Sequence, residues 1–146
     1  VALGCDVRVA ARDAKLGLNF VRLGIHPGMG ATFALPRLVG PALAAELLFT
    51  GRAVDGAEAE RIGLVNRAVE RAEVLPTALA LAREIAASAP LAVRRTKQAL
   101  ARSEHASLDE QLRFEAEQQS YDYESADLRE GLAAVRERRP PRFEGR

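Results

Sequence analysis

Apolar residues Leu3, Cys5, Val7 and Val9 alternate with Gly4, Asp6, Arg8 and Ala10, a period of two that predicts a strand at the start of the chain. A second extended run is expected over Lys15–Leu18, after the polar turn at Arg12-Asp13. Gly24, Pro27, Gly28 and Gly30 then break any regular element, and a helix interrupted by Pro36 is expected over Ala31–Val39. Pro41 suits the first turn of the next helix, in which Leu43, Leu47 and Leu48 lead to Thr50 and a stop at Gly51. Asp55 and Glu58 form a capping-box-like start for Ala57–Ile62, and Val65–Val69 reads as one more strand.

The pattern changes after Val69. Glycine nearly vanishes until Gly131, and helix-forming residues dominate. Leu75, Leu79, Ala82, Ile85 and Ala86 mark one helical face, and Pro90 separates that helix from another over Leu91–Ala101. Ser107 with Glu110, and Asp127 with Glu130, read as capping boxes. A final helix carries a narrow apolar stripe of Leu128, Leu132 and Val135, which requires a covering surface. Its end is basic, with Arg136, Arg138, Arg139 and Arg142 around the Pro140-Pro141 stop. The prediction is an α/β half followed by a helical half.

Composition narrows the classes. With 146 residues, 48% of them apolar and 28% charged, the chain can bury one sizeable core and favours solubility. The 21 Lys and Arg against 20 Asp and Glu leave a net charge of +1, so no global field favours nucleic acid or an anionic membrane. No apolar stretch approaches the roughly 18 residues of a bilayer span. The single cysteine, Cys5, excludes an internal disulfide framework and fits a reducing compartment, so a cytoplasmic location is expected. The chain opens inside apolar sequence, Val1-Ala2-Leu3, without methionine, and further sequence is expected to precede it.

Candidate chemistry concentrates between Leu16 and Gly40. Gly28 and Gly30 flank Met29 after Pro27, so the backbone can adopt positive φ and approach a ligand closely, with the amides of the next helix facing that space. A purely structural strand-to-helix turn has the same pattern. His26 is either a proton shuttle or a turn histidine bonded to backbone. Nothing visible lowers the pKa of Cys5, which speaks against a thiol nucleophile paired with His26. Two histidines and one cysteine offer no metal-ligand spacing, and no metal is expected. Glu58, Glu60, Glu115 and Glu117 read as solvated helix faces.

Three runs, CDVRVAARDAKLGLNFVRLGIHPGMGATFALPRLVG, LLFTGRAVDGAEAERIGLVNRAV and the ending DLREGLAAVRERRPPRFEGR, resemble the crotonase family, the enoyl-CoA hydratase/isomerase superfamily. The resemblance is ordered along nearly the whole chain. It implies a crotonase-like spiral of ββα units, with residues 1–70 the C-terminal part of that core and residues 71–146 a helical trimerisation region. It also implies an acyl-CoA substrate, no permanently bound cofactor beyond the coenzyme A of that substrate, and a homotrimer or hexamer. In this family two backbone N–H donors stabilise an enolate-like thioester. Both donors, and one hydratase glutamate, would lie upstream of Val1.

The resemblance carries over residue by residue. The other hydratase glutamate stands four residues before the glycine of a Leu-Gly pair, and Leu23-Gly24 puts that position at Phe20, which cannot move a proton. Phe20 is then either acyl-pocket lining or an ordinary core aromatic. Dienoyl-CoA isomerases have an aspartate where this chain has Gly28, and Gly28 and Met29 would line the acyl pocket. At the helical end Val135 replaces a phenylalanine and Arg138 a lysine near the CoA nucleotide. Arg138 can pair with phosphate, or simply complement the helix dipole. The resemblance therefore implies an enoyl-CoA hydratase/isomerase enzyme of fatty acid metabolism, inactive as this chain alone. The alternatives are a non-catalytic CoA-thioester binding or assembly subunit, or a free-standing helical interaction module.

Overall fold

The computed structural model describes residues 2–146; Val1 lies outside the described residues. The chain forms two compact units, Val1–Ala80 and Leu81–Arg146, with the division falling inside a helix. Each unit is described by itself.

The first unit is mixed α/β. Strands β1 (Val9–Ala11) and β4 (Arg67–Val69) pair in parallel, with Val9 opposite Arg67, and β2 (Leu16–Gly17) pairs antiparallel with β3 (Ala53–Val54). The expected strand over Leu3–Val9 is largely absent. Ala2–Gly4 form a 3-10 turn, Cys5 and Val7 are exposed, and the extended run begins only at Val9. An alternating pattern becomes a strand only where a second backbone accepts its hydrogen bonds. That partner starts at Asn66, whose N–H donates to the Arg8 carbonyl while its Oδ1 accepts from the Arg8 N–H, both at 2.8 Å.

Helices α1 (Ala31–Val39), α2 (Pro41–Thr50) and α3 (Gly56–Arg61) pack on these ladders. Pro36 does not interrupt α1. Only three residues follow it, so the one missing N–H removes a single bond from a helix that ends at Gly40. Proline opens α2 and Gly51, at φ +59°, closes it as the sequence predicts. Asp55 caps α3 by accepting the Glu58 N–H at 2.8 Å, but the Glu58 side chain turns to Arg52 at 2.9 Å instead of completing a capping box. Arg52 also donates to Glu46 at 2.9 Å, and these two carboxylates raise its already high pKa. Leu35 and Val54 are the largest fully buried side chains, among Ala31, Ala44, Leu47 and Ala59. Burying one such Leu or Val contributes about 1.5–3 kcal/mol.

Helix α4 (Val74–Ala86) follows, and the second unit continues with α5 (Pro90–Ser103), α6 (Leu108–Tyr123) and α7 (Ala126–Glu137). Ser107 and Glu110 make the full capping box predicted for α6, and the two bonds from Ser107 hold the Glu110 carboxyl below its ordinary range. The second predicted box is displaced. Ser125 caps α7 through the Leu128 N–H at 3.0 Å, which leaves Asp127 and Glu130 to other partners. Asp127, only 4% exposed, accepts the N–H groups of Glu144 (2.8 Å) and Gly145 (2.9 Å), while the Ala126 N–H donates to the Arg146 carbonyl at 2.7 Å. The C-terminal tail thus folds back onto the start of α7. Leu132 and Val135 of the predicted stripe remain exposed.

Candidate functional site

The chain between β2 and α1 forms an apolar wall on the first unit. A 3-10 turn over Phe20–Leu23 ends at Gly24, whose φ of +75° lets its N–H reach back to the Val21 carbonyl at 3.2 Å. Ile25 N–H closes the same turn on the Phe20 carbonyl at 3.2 Å. Leu23, Ile25, Met29 and Phe33 all present exposed apolar side chains, and Met29 is 91% exposed. Phe20 itself is half-buried. The Arg37 guanidinium lies 3.6 Å from the Phe33 ring centre and donates to the Phe33 carbonyl at 2.8 Å.

The glycine turn differs from the expectation in one respect. Left-handed backbone falls at Met29 (φ +56°) and Gly30 (φ +72°), while Gly28 stays outside that region. A non-glycine residue there costs about 1–2 kcal/mol. The turn directs the Gly28 carbonyl onto the Ala31 N–H at 3.0 Å, and the Gly30 carbonyl accepts from Phe33 and Ala34. Much of the helix start predicted to face a ligand is therefore used internally. Space remains on the outside: a Cβ added at Gly28 would meet no atom within 4 Å.

The electrostatics of the wall are one-sided. No Asp or Glu occurs between Asp13 and Glu46, a stretch that includes Lys15, Arg22 and Arg37. Phe20 occupies the expected carboxylate position, and His26 and Cys5 are exposed. Among the described residues no group of three or more His, Cys, Asp or Glu could hold a metal ion. The wall can hold an apolar chain and tolerate negative charge. Its described residues offer no carboxylate for proton transfer.

Arg138 belongs to the second unit. It ends α7 in left-handed conformation (φ +53°), exposed, and its side chain has no hydrogen-bond or ion-pair partner among the described residues. Its neighbour Arg139 is fully engaged with Glu130 and Glu137. Arg138 borders an apolar groove of about 520 Å³ lined by Leu91, Leu128, Leu132 and Phe143.

A family model described as enoyl-CoA hydratase/isomerase matches residues 1–146. The chain belongs to the enoyl-CoA hydratase/isomerase family. It is 43% identical to enoyl-CoA hydratase domain-containing protein 2, mitochondrial, of Mus musculus, over 100% of this chain and 51% of that protein. It is 40% identical to a short-chain-enoyl-CoA hydratase of Clostridium acetobutylicum, over 95% of this chain and 53% of the other. Among solved structures, the enoyl-CoA hydratase from Bacillus anthracis superimposes with a TM-score of 0.95 at 38% identity, over 99% of this chain and 56% of that one. The mixed α/β, mostly helical crotonase fold is thereby shown for these residues. The chain spans about half the length of the curated relatives it matches.

Sequence reasoning located the turn but missed three features of these units. The left-handed φ at Met29 carries no compositional signal, because methionine gives no hint of it. The Asp127 and Glu130 contacts to the tail were masked by a good match to a capping pattern. The third is Arg22, whose Nε donates to the Thr50 carbonyl at 2.8 Å across 28 residues of sequence.

Proposed function

We propose that this chain is the C-terminal portion of an acyl-CoA enzyme of the enoyl-CoA hydratase/isomerase type, whose complete form stabilises a thioester enolate. The observation that carries the reading is the carboxylate-free apolar wall from Phe20 to Gly30, set in a chain that matches the family throughout. An acyl chain would lie against Met29 and the open face of Gly28, and Arg138 would meet a CoA phosphate. Exposed Leu132 and Val135 support a role for the helical region in assembly, as a homotrimer or hexamer.

Phe20 shapes the chemistry. Water addition that uses two carboxylates requires one at this position, and a phenyl ring neither takes nor gives a proton. Moving a double bond by proton relocation needs only one carboxylate, supplied from outside these residues. The test is turnover of a 3-enoyl-CoA and of crotonyl-CoA by the complete polypeptide, with residues 1–146 alone as the control. Isomerisation is expected to exceed hydration, and the isolated chain is expected to turn over neither. Dominant hydration by the complete polypeptide, or crotonyl-CoA turnover by the isolated chain, would overturn this reading. Phe20 also favours a second one, a CoA-thioester binding subunit without catalysis, which would show calorimetric binding and no turnover of either substrate.

A further inference from the structure

The wall is anchored at two points on one neighbouring segment. At its base the two-residue β2–β3 ladder brings Gly17 against Ala53 so closely that an added Cβ at Gly17 would sit 3.3 Å from the Ala53 Cβ. Further along, the end of α2 meets the 3-10 turn. A Cβ on Gly51 would lie 3.0 Å from Cγ of Arg22 and 3.3 Å from Cα of Asn19. There the Arg22 Nε donates to the Thr50 carbonyl at 2.8 Å.

Thr50 is the last residue of α2, where helix carbonyls lack intrahelical donors and the helix dipole is negative. A guanidinium satisfies both conditions, and its planar donor geometry holds one orientation. Beyond Arg22 the chain reverses at Gly24 and runs exposed through Ile25 and His26 to the glycine turn. The side chain of Arg22 therefore ties the exposed end of the wall to a packed helix whose Leu47 and Leu48 are buried.

We infer that Arg22 is a positioning residue: by bonding the Thr50 carbonyl it sets where Phe20 and the Gly24–Gly28 backbone stand relative to a bound acyl group. The inference rests on the acyl-CoA reading for its catalytic consequence, but its structural part is independent of that reading. Arg22 acts through the backbone it holds, without touching the reacting atoms.

The test uses the complete polypeptide with Arg22→Met, which keeps the apolar stem against Gly51 and removes the donor, and Arg22→Lys, which restores a cation. Amide hydrogen exchange at Gly24 and Ile25 is expected to rise at least about tenfold in Arg22→Met and to recover partly in Arg22→Lys, with the Arg12 and Asn66 amides, which donate to the Val69 and Arg8 carbonyls, unchanged. Turnover of an enoyl-CoA is expected to fall about tenfold or more in kcat with KM changed less than about threefold, as small misplacements of a reacting geometry produce. Unchanged exchange at the turn amides overturns the inference whatever the activity. A uniform rise in exchange across the first unit also overturns it, because the role would then be general stability. Altered turn exchange in a protein that neither binds nor turns over any acyl-CoA leaves the positioning role intact and removes the functional reading instead.

Discussion

The guanidinium of Arg139 meets the carboxylate of Glu130 edge to edge, Nη1 to Oε1 at 2.6 Å and Nη2 to Oε2 at 2.8 Å. The Arg142 N–H adds a third bond to Oε1 at 2.7 Å. Chiefly through the Arg139 contact, the Glu130 carboxyl is held down from 4.5 to about 2. A carboxyl depressed in the folded state contributes stability that is complete above its unfolded pKa and is lost as pH falls through the folded value. The tail is therefore expected to stay docked on α7 at neutral pH and to loosen between about pH 4.5 and 2. Thermal melts across that window should show a smaller acid dependence in Glu130→Gln than in the parent chain.

Gly56 stands where no side chain fits. A Cβ there would lie 1.9 Å from the Ala11 carbonyl oxygen, which is fixed backbone of β1. Gly56→Ala is expected to cost about 1–3 kcal/mol or more. Gly4→Ala, where no atom lies within 4 Å, should stay within about 0.5 kcal/mol by chemical denaturation.

Gly28→Ala separates stability from function. The added methyl enters open space and the backbone is not left-handed, so unfolding should shift by less than about 0.5 kcal/mol. If the acyl group lies on this face, the complete polypeptide should lose acyl-CoA affinity in calorimetry while its melting curve is unchanged.

Met29 carries the strain of the turn. Replacement by a β-branched residue should destabilise by about 1 kcal/mol beyond what Met29 already costs, because branching at Cβ is least compatible with positive φ. Met29→Gly should be nearly neutral, the relief of strain offsetting the greater freedom of the unfolded chain. Denaturant titration of both variants checks the pair.

Phe20→Glu tests the missing acid. In the complete form of the proposed enzyme, it is expected to raise crotonyl-CoA hydration by on the order of 10² or more, the usual scale for a positioned acid or base. The half-buried site should lower stability by about 1–3 kcal/mol. A folded variant with unchanged hydration would show that position 20 does not face the reacting carbon.

What was legible in the chain follows from how local each signal is. Pro41 and Gly51 bound α2, and Ser107 with Glu110 opens α6, because those bonds close within a few residues. The alternation from Leu3 to Val9 misled because a strand depends on a partner that lies some 58 residues away, and that partner begins only at Asn66. Asp127 and Glu130 matched a local motif while serving residues 139–145, with Ser125 two positions earlier providing the cap. At the wall, the glycines announced a turn, and the lack of any Asp or Glu between Asp13 and Glu46 was plain in the sequence. The bond from Arg22 to Thr50 had no such announcement, since a guanidinium reaching a distant helix end leaves no spacing rule behind.

Among the described residues, every buried apolar side chain except Ala134 belongs to the first unit, while the second is stitched by carboxylates and a returning tail. Apolar burial is what gives unfolding its large heat-capacity change. The stability of the first unit should therefore curve strongly with temperature. That of the second should vary little with warming or cooling and answer mainly to acid and salt, so heat and protons act on different ends of the same chain.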